Sequence, residues 1–156
     1  MALLYGWGKR GQALVASVPA RRGKNLSALG AIDLEGMVAQ TSKEGAMTRE
    51  DVERFLRVDL LPQLSPGSVL VLDNASIHKG GNIERLVTRA GCRVLYLPPY
   101  SPDMNPIELI WGFVKRRVRR DGPRDEVSRR TCVAAGLAAV TEQLAKSCFR
   151  HCHYCQ

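Results

Sequence analysis

Two carboxylates stand where their surroundings suit the holding of a cation. Asp73 ends the apolar run Val69-Leu70-Val71-Leu72, and Glu108 opens a helical stretch after a loop that carries Pro98, Pro99, Pro102 and Pro106. From Asn105 onward, Ile107, Ile110, Trp111, Val114 and Val118 recur at the spacing of one helix face, which reads as a core stripe. Beside that stripe lies a second face made of Glu108, Gly112, Lys115 and Arg119. A carboxylate, a position without a side chain and two cations in that order suit a metal-holding acid next to a track for DNA phosphates. Each acid also has a purely structural reading. Asp73-Asn74 can be an ordinary strand-ending turn, and Asn105, Pro106 and Glu108 can be the N-cap, first turn and reciprocal partner of a capping box.

The charge distribution bears on the same helix. Of the net charge of +8, more than half falls between Lys115 and Arg130, where eight basic residues face Asp121, Asp125 and Glu126. Such a cluster is either a solvated helix surface or a phosphate-contacting one.

The elements that must position these groups alternate between strand and helix. Asn25 to Ile32 and Met37 to Thr41 read as a strand pair joined by the turn Asp33-Leu34-Glu35-Gly36. Thr48 to Leu64 reads as a helix, with Thr48 and Asp51 at its cap and Val52, Phe55, Leu56 and Leu60 on its apolar face. Ser68 to Leu72 lacks alternation and is expected to be a strand buried on both faces. A helix from Asn82 to Ala90, ended by Gly91, leads to a strand from Arg93 to Leu97, and the remainder is mostly helical. The order predicts an α/β layer with an antiparallel hairpin followed by a parallel portion, whose chemistry gathers at the carboxyl ends of the parallel strands. At 156 residues and 45% hydrophobic content, the chain is expected to form one domain over residues 1–156. No run approaches the roughly 18 apolar residues of a membrane helix. An odd number of cysteines without an export signal predicts a soluble protein in a reduced, cytoplasmic setting.

Asp73-Asn74-Ala75-Ser76-Ile77-His78, the stretch Leu97 to Glu108, and then Trp111 and Lys115 resemble the catalytic core of mariner-type DDE transposases, in their bacterial insertion-sequence branch. The 34 residues between Asp73 and Glu108 match the spacing of the second and third acids of that superfamily. Gly6-Trp7-Gly8-Lys9-Arg10-Gly11-Gln12 resembles the segment after the first acid, and Phe149-Arg150-His151-Cys152 before Tyr154 resembles the usual C-terminus. The resemblance implies an RNase H-like mixed sheet flanked by helices, in which carboxylates hold two Mg²⁺ ions, with Mn²⁺ as a substitute. It implies Asp73 and Glu108 as catalytic metal ligands, with Lys115, Arg116, Arg117, Arg119 and Arg120 on DNA phosphates and His78 and Asn105 as auxiliary residues. The implied partners are element-end and target DNA, away from any membrane, in the bacterial cytoplasm at the nucleoid.

The sequence departs from the family at one consequential place. The first acid should precede Gly6-Trp7, on the first and central strand, yet residues 1–32 contain no Asp or Glu. Asp33, in a hairpin turn, is a poor substitute, and a helix-turn-helix region is also missing. The expectation is therefore a sheet without its first central strand, with exposed edges that favour self-association or pairing with an intact transposase. Alone, such a chain is expected to be inactive; the alternative function is a non-catalytic DNA-binding or dominant-negative fragment. Cys148, His151, Cys152, His153 and Cys155 crowd into eight residues, unlike a two-knuckle zinc site, so zinc is not expected. Asp103 reads as a loop cap.

Overall fold

The structure is a computed structural model that describes residues 10–11, 25–79, 81–123 and 125–155. The readings that fall on Gly6 to Lys9 and Gln12 lie outside the described residues. Strands β1 (Leu26–Ile32) and β2 (Met37–Glu44) form an antiparallel hairpin with Leu26 opposite Glu44 and Ile32 opposite Met37. Its turn forms as expected. Asp33 Oδ1 accepts hydrogen bonds from the Glu35 and Gly36 amides at 2.8 and 3.0 Å, and Gly36 takes φ +137°. β2 runs three residues past the expected end at Thr41. Its added residues are polar, but Lys43 is anchored to Asp51 at 2.5 Å and pairs with Ser27.

Helix α1 (Arg49–Phe55) opens on a true capping box: the Asp51 amide donates to Thr48 Oγ1, and the Thr48 amide donates to Asp51 Oδ2. The expected helix to Leu64 is corrected beyond Phe55. The chain widens into a π turn over Leu56–Leu60 and tightens into a 3₁₀ turn over Leu61–Gln63. Pro62 supplies the reason, because it lacks an N–H and its ring would strike the carbonyl four residues back in a regular α-helix. The apolar face survives the change, with Val52, Phe55, Leu56 and Leu60 all buried.

Strand β3 (Val69–Leu72) crosses through helix α2 (Gly81–Arg89) to the parallel strand β4 (Arg93–Tyr96). The expectation that β3 is buried on both faces is corrected. Leu70 and Leu72 pack against the α1 core, but Val69 is 48% and Leu95 51% exposed. Alternate residues of a strand point to opposite faces, and among the described residues no helix covers the face of Val69 and Leu95. Nor do the two strand pairs form one sheet: among the described residues β1–β2 and β3–β4 are separate two-stranded sheets.

Two apolar clusters hold the molecule together. The first joins Ala39, Val52, Phe55, Leu56, Leu60 and Ile83, with residues from both sheets packed against it. The second joins Ile110 and Val114 of α3 (Pro106–Asp121), Leu137 of α4 (Glu126–Ala138) and Cys148 of α5 (Glu142–His151) with Val140 of the α4–α5 connection. α3 sits close on its neighbours because glycines face it. A Cβ on Gly30 would stand 3.3 Å from the Trp111 ring, and one on Gly136 would stand 3.2 Å from Val114 Cγ1. The expected stripe of α3 is thus the packed face, with Ile110 and Val114 buried and Ile107, Trp111 and Val118 half-buried. No helix among the described residues is long and apolar enough to cross a membrane.

Candidate active site

Parallel β3 and β4 release their following loops at the same end. The last rung of the ladder, Leu97 N to Leu72 O at 2.8 Å, leaves Asp73 and Pro98 side by side as the chains part. This is the crevice where ligands gather in open α/β sheets.

Asp73 is fixed from several sides. The Ala75 amide donates to its Oδ1 at 3.1 Å, and His78 Nδ1 meets the same oxygen at 2.5 Å. The loop that carries them is tied to β4 by Tyr96, whose hydroxyl donates to the His78 carbonyl at 2.9 Å, and to α1 by Arg49, which donates to the Ser76 carbonyl. Ile77 of that loop packs on the first core cluster. The asparagine-turn reading of Asp73 is therefore correct as geometry, yet it occupies only one oxygen. Oδ2 accepts no hydrogen bond among the described residues, and the Asp73 side chain is 45% exposed.

Glu108 is delivered differently. Prolines restrict the loop from Leu97, a 3₁₀ turn over Pro102–Met104 follows, and Pro106 opens α3 where its missing N–H costs no hydrogen bond. The capping-box reading of Glu108 fails. The side chain of Asn105 makes no cap bond, and the Glu108 carboxylate has no hydrogen bond or ion pair among the described residues. The exposed carboxylate still gains from the positive end of the α3 dipole. Asp103 makes no cap bond among the described residues either; its carboxylate lies near the end of α5, where burial, Cys148 and then Asp103 push the Cys152 thiol up.

Asp73 and Glu108 come together in one cleft of about 480 Å³, lined also by Asn105, Lys79 and the loop from Leu97 to Pro102. Asp33 and the α3 cations do not line it. Lys115, Arg116, Arg119 and Arg120 are exposed on α3, whereas Arg117 is half-buried and 3.9 Å from Asp121. Arg120 also pairs with Asp121, at 3.1 Å. At the far end of α5, Cys148 and Cys152 are buried while His151 and His153 are exposed, so that cluster does not converge.

The sequence profile of the family described as DDE superfamily endonuclease matches residues 1–129. The chain belongs to this family. Solved structures similar to this DDE endonuclease chain include the Mos1 transposase paired-end complex with left transposon end, at TM-score 0.76 and 18% identity over 95% of this chain. The Mos1 mariner paired end complex with Mn gives 0.70 at 16% identity over 94% of this chain. The Mos1 transposase catalytic domain with raltegravir and Mg gives 0.63 at 15% over 80% of this chain and 68% of that one. No curated protein sequence matches. At these identities the likeness carries the fold, the mixed α/β, RNase H-like catalytic fold of a transposase. The chain spans 46% of the length of each of the two paired-end relatives.

Two cleft residues of this DDE chain escaped the sequence reading. Lys79 follows the Asp73 to His78 motif directly, and a cation beside two acids was the available signal. Tyr100, inside the proline loop, adopts φ +58° with its side chain fully exposed. Left-handed backbone costs a residue with a Cβ about 1–2 kcal/mol, and no one-dimensional pattern reports it.

Proposed function

We propose that this chain is catalytic machinery of a bacterial insertion-sequence transposase, in which Asp73 and Glu108 hold Mg²⁺, or Mn²⁺ in its place, for cutting and rejoining DNA strands. The observation that carries the reading is the shared cleft, where, among the described residues, Glu108 has no partner and one oxygen of Asp73 accepts no hydrogen bond. Hard oxygen donors open to solvent fit Mg²⁺, which is commonly held by one or two carboxylates and completes its shell with water and substrate phosphate. Bound there, such ions supply activation of a water or a 3′-hydroxyl and neutralise charge on the leaving oxygen.

The chain's own residues do the positioning. His78 and the Ala75 amide hold Asp73 by one oxygen, so the other points to the cleft at little entropic cost. The proline loop and the packed stripe of α3 fix Glu108. Lys115, Arg116, Arg119 and Arg120 present cations further along α3 for the backbone phosphates, with Arg117 less available. Asn105 lines the cleft between the acids and serves as an auxiliary polar contact. Residues 1–156 act as one catalytic domain in this reading, on DNA of the bacterial cytoplasm.

A second reading has its own observation. Among the described residues the cleft holds two carboxylates, and Asp33 is committed to a hairpin turn. A chain with two acids binds DNA, or an intact transposase, without cutting. We therefore infer that residues 1–156 alone are inactive.

Nicking of supercoiled DNA with Mg²⁺ or Mn²⁺, measured beside DNA binding, separates these statements. Residues 1–156 should bind and not nick. Nicking by residues 1–156 would favour the catalytic reading instead, and Asp73→Asn should then abolish it while leaving binding near wild type. Unchanged nicking in that variant would remove Asp73 from the chemistry. Replacing Lys115, Arg116, Arg119 and Arg120 by Ala should weaken binding and flatten its salt dependence, by a slope of roughly 0.7 to 0.9 for each phosphate that is no longer neutralised.

A further inference from the structure

Tyr100 is costly in two ways that nothing among the described residues repays. A bulky side chain at φ +58° is a backbone outlier, and the ring is 102% exposed, with no hydrogen bond or ring contact among the described residues. The loop enforces the conformation: Pro98 and Pro99 precede it, Pro102 follows, and Leu97 is buried beneath. This bare ring stands at the cleft that holds Asp73 and Glu108. Met104 and Leu109, on the same loop and the first turn of α3, are also exposed, at 41% and 38%.

A DNA strand entering that cleft meets a specific difficulty. Its phosphates are repelled by two carboxylates, and the nearest cation of α3, Lys115, lies seven residues beyond Glu108, about 10 Å along the helix. Lys79 lines the cleft as a point charge for one phosphate, but orienting the strand near the acids takes a second, non-ionic hold. A base offers one, because every base has a face on which an aromatic ring can stack, and aromatic platforms beside a cationic track are the general device for gripping single strands.

We propose that Tyr100 is a DNA-positioning residue that stacks on an unpaired base of a strand lying at the cleft of Asp73 and Glu108. The inference rests on the DNA-strand reading of the cleft. Stacking requires the ring and not the hydroxyl, and the proline-restricted backbone limits the chain entropy lost on binding. The strained backbone is then explained as the means of aiming the ring.

The test uses the full 156-residue chain without divalent metal, so that no cutting intervenes. The probe is a short duplex whose single-stranded 3′ overhang carries 2-aminopurine, a base whose fluorescence falls on stacking; anisotropy of a second label reads total binding. Wild type and Tyr100→Phe should quench the probe. Tyr100→Ala and Tyr100→Gly should not, and both should bind the overhang about 5- to 100-fold more weakly. Tyr100→Gly relieves the left-handed strain, so its melting temperature should equal or exceed that of wild type, which separates lost stacking from lost folding. Quenching by the Ala and Gly variants equal to wild type, with DNA still bound, would overturn the stacking role and leave the DNA reading standing. Failure of wild type to bind the duplex or the overhang would overturn both.

Discussion

Asp51 illustrates how one carboxylate remote from the cleft bears on it. The Lys43 side chain bonded to it, with the Thr48 backbone N–H behind, holds its carboxyl down at about 2, from an ordinary 3.8. The same box starts α1, and Arg49 in that first turn holds the loop behind Asp73 through Ser76. Because the folded value is depressed, the charge-dependent stability is fully present above the unfolded value and is lost as pH falls through about 2. Asp51→Asn should therefore melt below wild type at neutral pH. The gap should narrow as pH drops below about 4 and close near pH 2, as melting curves across an acid series would report. A gap independent of pH would assign the loss to packing instead. Thr48-Asp51 and Asn105-Glu108 carry similar capping signatures, yet only the first forms. A signature says that a partner is available; whether it is used depends on competing contacts, and Asn105 instead faces the cleft. That is why the Asp73–Glu108 pair was legible as spacing and family likeness, while the freedom of the Glu108 carboxylate was not.

At the scale of the element, α3 decides where Glu108 sits. Its seat is steric: Trp111 lies over Gly30 of β1, and Val114 lies against Gly136 of α4. Val114 is 3% exposed, so it has little room to yield. Gly136→Leu should overpack this contact and destabilise the fold by about 1–3 kcal/mol. Equilibrium denaturation would show it as a lower midpoint with an unchanged slope. Wild-type stability in that variant would mean that α4 shifts freely and does not set the position of α3. The apolar stripe of α3 was legible because helical periodicity is local. The π turn before Pro62 was not, since Pro62 signals a break without specifying how the winding absorbs it. The exposure of Val69 was likewise hidden, because an apolar run reads the same whether or not a second layer covers it.

For the whole molecule, the unusual feature is the division of strands. β1–β2 and β3–β4 pack on one apolar cluster, yet among the described residues no strand joins them. A two-stranded ribbon is marginal by itself and is sustained here by its helices. Among the described residues its outer N–H and C=O groups have no strand partner and form a template for another chain, and the face of Val69 and Leu95 adds apolar area beside one such edge. Net charge of +8 opposes association at low salt, and added salt screens that repulsion. The two effects together predict a protein that associates increasingly with both concentration and ionic strength. Sedimentation velocity over a concentration series, at low and moderate salt, would read this directly. Growth of larger species with salt supports edge or face pairing; a single monomeric boundary throughout, with a sharp cooperative melt, would mean that the two ribbons are sufficient as they stand. A strand bound as proposed above would neutralise charge as salt does, yet by occupying the cleft end of β3 and β4 it should block association through that end. Association that DNA dissolves would place the contact near the cleft, and association indifferent to DNA would place it on the far edges.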